Sequence, residues 1–275
     1  MPDFRTSDGR RLYFEQSGSG DPVLCLSGLT RNSGDFSFVQ PHLNGMQLIM
    51  MDYRGRGRSD RDPDFMNYNI FRESLDAIEL LNHLGVEKTA ILGTSRGGLI
   101  AMALAASHPD RLTHVILNDV GPVIEPSGIA KIMDYVGKAP ISKTYEEAAR
   151  VLQAVMEPQF PGVPYERWLA LAKIQYSATP EGLTLQYDPA LRTALLEQAA
   201  AGAIPDMWIF YDALKDIPTG VLRGANSDVL SAETLAEMHK RHPELISAEV
   251  PNRGHVPFLD EPESLALIHK VLSTT

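Results

Sequence analysis

The chain has 275 residues, 44% of them hydrophobic and 22% charged, which suits one large domain with an insertion and excludes a disordered composition. A formal net charge of −10 gives no attraction to phosphate backbones, so no nucleic-acid partner is expected. A single cysteine, Cys25, excludes an internal disulfide and half of a CxxC zinc site, and a polar start with no long apolar run points to a cytoplasmic protein without a membrane partner.

FRTSDGRRLYFEQ reads as a β-hairpin turning at Asp8 and Gly9. PVLCLS (Pro22–Ser27) and MQLIMMD (Met46–Asp52) are apolar runs bounded by turn residues, as buried strands are. Apolar residues recur at helical spacing from Ile70 to Leu84, where Gly85 stops the helix. TAILG (Thr89–Gly93) predicts a third strand and Gly97 to Ser107 a buried helix. HVILND (His114–Asp119) predicts a fourth strand.

Alternating strands and helices predict a mostly parallel sheet covered on both faces. The rhythm breaks from Gly121 to Pro205, where helical patterns with Pro-rich joints show no clear buried strand. It resumes with TGVLRG (Thr219–Gly224), a helix near Ala232–Arg241, the strand LISAEV and a last helix from Glu263. The expected organisation is a core of residues 1–120 and 206–275 with a helical cap, 121–205, inserted between two strands.

GTSRGG (Gly93–Gly98) joins a strand to a helix. A sharp turn there holds Ser95 in a strained conformation above the sheet, and neighbours two residues away on either side collide unless they are glycine. The helix beginning after Ser95 points backbone N–H groups at whatever the serine attacks. A serine hydroxyl needs a base, and the base an orienting acid. Of eight histidines, His255 alone lies in a loop between the last strand and the last helix, at the sheet edge where strand C-termini gather. His239 and His242 have i, i+3 spacing at a basic helix end, which reads as a solvated terminus; no metal is expected. Two acids reach the catalytic edge. Asp228, after TGVLRG, is preferred because it completes the chain order Ser…Asp…His; Asp119, after HVILND, is the rival.

These residues resemble the α/β-hydrolase superfamily over nearly the whole chain outside the insertion. GTSRGG resembles its nucleophile elbow. MDYRGRGRSD (Met51–Asp60) resembles the Asp-x-Arg-Gly-x-Gly-x-Ser loop of the esterase, lactonase and carbon–carbon hydrolase branch. RGANSDVLS and GHVPFLDEPE resemble the acid and histidine loops. The resemblance implies an eight-stranded sheet, a helical cap after the sixth strand and a Ser95–His255–Asp228 triad that needs no cofactor. It implies an oxyanion hole of two backbone N–H groups, Arg96 and Leu29, although Ser27 stands where relatives carry histidine. The expected reaction is hydrolysis of a small, largely apolar ester or lactone. A carbon–carbon hydrolase acting on a diketone and a small-molecule receptor are the alternatives. Among the aromatic residues of the cap and just beyond, Trp168, Tyr135 and Trp208 are candidate substrate contacts. The arginines of MDYRGRGRSD alternate with aspartates and read as a structural loop. Arg96 is expected to pair with a nearby carboxylate rather than meet substrate.

Overall fold

The computed structural model describes residues 3–201 and 206–274. β1 (Asp3–Arg5) and β2 (Arg11–Gly18) form the antiparallel N-terminal hairpin, with Gly9 at φ +84° in its turn. β3 (Asp21–Leu26) and β4 (Met46–Met51) follow. α1 (Ile70–His83) begins at Asn69, whose side chain accepts from the N–H groups of Phe71 and Arg72, so the cap satisfies two of the helix's orphan donors. β5 (Thr89–Thr94), α2 (Arg96–Ser107) and β6 (Leu112–Asn118) complete this half.

Four helices come next: α3 (Pro126–Tyr135), α4 (Tyr145–Met156), α5 (Tyr165–Gln175) and α6 (Leu191–Ala200). Between the last two lies a feature not expected from sequence, an antiparallel hairpin of β7 (Tyr176–Thr179) and β8 (Gly182–Leu185). Each strand is four residues long and only half-buried, so neither carries the apolar run that marks a core strand. The expected end of the insertion, 202–205, lies outside the described residues. α7 (Met207–Asp212), β9 (Thr219–Gly224), α8 (Ala232–Arg241), β10 (Ile246–Val250) and α9 (Pro262–Leu272) return to the core.

The eight long-sheet strands lie in the order β1-β2-β4-β3-β5-β6-β9-β10, parallel from β4 onward. Alternate residues of each strand feed opposite faces. Leu24, Ile49, Ile91 and Val115 pack with Leu80 of α1 and Ile100 and Leu104 of α2. Val23, Leu48, Leu92 and Leu222 pack with Ile268 and Val271 of α9. Because both faces are covered, the strands read as unbroken apolar runs; Cys25 is one such buried residue. The inserted helices pack through two small clusters, one around Phe160, Trp168 and Leu171 that takes in Phe38 and Phe258, another around Val136, Tyr187 and Leu191 that takes in Tyr68.

The loop after β4 carries arginines into the interior. Arg54 is fully buried and forks onto Asp76 of α1 at 2.7 and 2.6 Å, with Asp62 and Asp8 also on its guanidinium. Arg56, equally buried, lies 2.9 Å from Glu73 of α1 and sits over the rings of Tyr53 and Tyr68. Glu73 takes a second cation, Arg96, at 2.6 Å. The charges of Arg54 and Arg56 are therefore consumed within the fold, as a structural loop requires, while Arg58 stays at the surface, and Arg96 forms the expected ion pair.

The elbow glycines pack against backbone. A Cβ on Gly97 would lie 2.0 Å from the Leu26 carbonyl oxygen, and one on Gly93 would lie 2.6 Å from that of Gly97. A Cβ on Gly98 meets chiefly side-chain atoms, of Val120 and Leu117. Gly97→Ala and Gly93→Ala should therefore destabilise more than Gly98→Ala, beyond the roughly 1–3 kcal/mol of ordinary overpacking, in urea melts followed by circular dichroism. Glu73→Ala strands two buried guanidinium groups and should cost about 3–5 kcal/mol. Removing Glu237, an exposed partner of Lys240 and Arg241, should leave the melt nearly unchanged in the same assay.

Candidate active site

Ser95 sits between β5 and α2 with φ 51° and ψ −113°, a conformation that is strained for any residue with a side chain. Its N–H donates to the Asn118 carbonyl at 3.0 Å and its own carbonyl accepts from Gly98 at 2.9 Å. The strained residue is thus bolted to β6 on one side and to the first turn of α2 on the other. Its hydroxyl stands at the C-terminal edge of the sheet, 2.9 Å from Nε2 of His255.

His255 reaches Ser95 from the loop after β10. That loop is packed hard against the end of β9: a Cβ on Gly224 would lie 2.5 Å from the Arg253 carbonyl oxygen and 2.6 Å from that of Gly254. The other imidazole nitrogen, Nδ1, lies 2.7 Å from Oδ2 of Asp119. Asp119 follows β6 directly, at φ 54°, and is fully buried. Its Oδ1 accepts from the Gly224 N–H at 2.8 Å, and its Oδ2 also accepts from the Ser227 hydroxyl at 2.7 Å. A buried carboxylate with these three partners is fixed in place beside the imidazole.

The preferred acid, Asp228, is corrected by this geometry. It is one residue too far along: the turn after β9 aims Ser227 at Asp119 and sends Asp228 outward to an ion pair with Lys131 of α3. Burial pushes the Asp228 carboxyl up, but hydrogen bonds from Lys131 and Gln159 outweigh it and its pKa lies below the ordinary value.

Leu29 lies in the turn after β3, closed by a 3.1 Å bond from the Arg31 N–H to the Gly28 carbonyl. The position of a Cβ on Gly28 is 3.9 Å from Ser95 Cβ, so this turn lies beside the serine. Among the described residues, neither the Leu29 N–H nor the Arg96 N–H has a hydrogen-bond partner. With no histidine at position 27, the loop is braced differently. The Tyr53 hydroxyl donates to the Ser27 carbonyl at 3.0 Å and Arg56 Nε to the Leu29 carbonyl at 3.0 Å. Arg56 and Arg96 share Glu73, so one carboxylate ties the Leu29 segment to the residue after the serine. Ser227, Tyr53 and Glu73 carry no motif by themselves, and their roles appear only in three dimensions.

Two candidate substrate contacts lie elsewhere. Trp168 is only 2% exposed, edge-on to Phe160 and Phe258 in the core of the inserted helices. Trp208 lies under the Arg241 guanidinium at 4.2 Å, beside the C-terminus of α8 and so at the far edge of the sheet. Tyr135 differs: it is 51% exposed, yet protein surrounds it closely enough that burial raises its phenol pKa, with Arg31 and Thr30 among its neighbours.

Residues 21–262 match the family model described as alpha/beta hydrolase fold. The chain is 36% identical over 269 residues to a 3-hydroxybutyrate-oligomer hydrolase of Cupriavidus necator, covering 94% of this chain and 91% of that protein. It is 26% identical over 247 residues to a 2-(acetamidomethylene)succinate hydrolase of Mesorhizobium japonicum, covering 89% and 84% respectively. A crystal structure of an alpha/beta hydrolase from Novosphingobium aromaticivorans superposes with a TM-score of 0.90 at 40% identity, covering 98% of this chain and 96% of that one. The chain belongs to the α/β-hydrolase family and is a hydrolase of that type.

Proposed function

We propose that this protein hydrolyses carboxylic esters through a Ser95–His255–Asp119 triad. The observation that carries the reading is the unbroken chain of contacts from the Ser95 hydroxyl through both imidazole nitrogens to a buried carboxylate, at 2.9 and 2.7 Å. His255 Nε2 takes the Ser95 proton as Oγ attacks the ester carbonyl. Asp119 fixes the tautomer and stabilises the imidazolium. The Leu29 and Arg96 N–H groups, both without other partners, receive the oxyanion. His255 returns the proton to the leaving alcohol, and water then attacks the acyl-enzyme by the same route in reverse.

The substrate class we infer is an ester of a small hydroxy acid. Support comes from the likeness to the 3-hydroxybutyrate-oligomer hydrolase over almost the full length of both chains. Residues 121–205 act in this reading as a lid over the serine.

Hydrolysis of p-nitrophenyl esters from acetate to dodecanoate, and of the 3-hydroxybutyrate dimer, tests the reading. Ser95→Ala should abolish turnover, and Asp119→Asn should lower kcat by about 10⁴-fold. Asp228→Asn should retain most activity. Loss in Asp228→Asn with retention in Asp119→Asn would overturn the choice of acid, and no ester cleavage by the wild type would overturn the reaction.

A further inference from the structure

We infer that Arg31 is a carboxylate-binding residue of the active site, selecting esters whose leaving alcohol carries a free acid group; this rests on the ester-hydrolase reading. Three observations place it. First, Arg31 shares the Gly28–Arg31 turn with Leu29, so the guanidinium arm and the oxyanion donor are carried by one rigid unit. Second, the base of the arm lies beside the serine: the space a Cβ on Gly28 would fill is 3.2 Å from Arg31 Cγ and 3.9 Å from Ser95 Cβ, so both border the same small volume. Third, only one edge of the guanidinium is used. Asp35, one turn on, accepts from Nε at 3.0 and 2.8 Å. Among the described residues, neither terminal nitrogen has a hydrogen-bond partner.

Asp35 therefore orients the fork and leaves its two terminal N–H edges for a planar anion, the geometry in which arginine binds carboxylate. The side chain retains 23% of its exposure, so it is not closed off from a solute. Burial raises the phenol pKa values of Tyr135 and Tyr176, and the charge of Arg31 opposes that shift in each. In an oligomer of 3-hydroxy acids the ester oxygen sits on the carbon β to the carboxylate of the terminal unit. A scissile carbonyl at Leu29 and Arg96 then leaves that carboxylate a short reach away, on the side of Arg31. The anion would otherwise be repelled by a chain of net charge −10, so a dedicated cation at the site sets specificity.

The test compares the 3-hydroxybutyrate dimer as the free acid with the same dimer capped as a terminal primary amide. Arg31→Met combined with Asp35→Asn avoids leaving Asp35 unpaired, and circular dichroism checks folding. The acid-to-amide ratio of kcat/KM should fall by about 10–100-fold, the scale of one charge-assisted pair, mainly through KM. An unchanged ratio overturns the inference while leaving the esterase reading intact. Calorimetry of the free-acid dimer on Ser95→Ala, with and without the Arg31 change, needs no turnover. Affinity lost with Arg31 supports the site even if the wild type cleaves neither dimer, and equal affinity overturns it.

Discussion

Glu73 is fully buried between two guanidinium groups, and the site geometry depends on that arrangement. One cation, Arg96, is the residue after Ser95. The other, Arg56, holds the carbonyl of Leu29. The proposed oxyanion hole needs the N–H groups of these two segments, distant in sequence, to stay in place together. Backbone alone does not do this, because the Leu29 turn belongs to no strand or helix. A shared carboxylate in a dry interior fixes both cations at once, since releasing either leaves an uncompensated charge. Family resemblance would place a histidine at position 27; here a tyrosine hydroxyl and an arginine hold the loop from beneath instead.

Much of this was legible in the sequence, and the part that was not has a physical reason. Gly93 and Gly97 announce a backbone contact that a side chain forbids, and both in fact sit against carbonyl groups. His255 stood out because parallel-sheet topology sends its loop to the serine's edge. The acid was harder. Chain order Ser…Asp…His is satisfied by Asp119 as well as by Asp228, so order could not separate them. What separates them is which residue of the turn after β9 points inward, and that depends on one residue of register. Ser227 takes the inward position and donates to Asp119. The aromatic residues misled for a different reason. Trp168 and Trp208 are large enough to line a pocket, but a small helical insertion needs its own core, and an amphipathic ring equally serves as a shelf for an arginine.

In the proposed triad the acid follows β6, and the turn after β9 serves it only through Ser227. The turn after β9, free of the imidazole, grips the inserted helices: Asn226 and Gln159 exchange side-chain and backbone hydrogen bonds at 3.0 and 3.2 Å, and Asp228 pairs with Lys131. Among the described residues, Asp119 is bonded to the Gly224 N–H, the Ser227 hydroxyl and His255, so one turn both supports this carboxylate and meets the inserted segment. The segment after β3 is tied to the inserted residues as well: the Asn32 side-chain amide donates to the Ile174 carbonyl at 2.9 Å and to Gln186 at 3.2 Å, next to the Arg31–Asp35 pair.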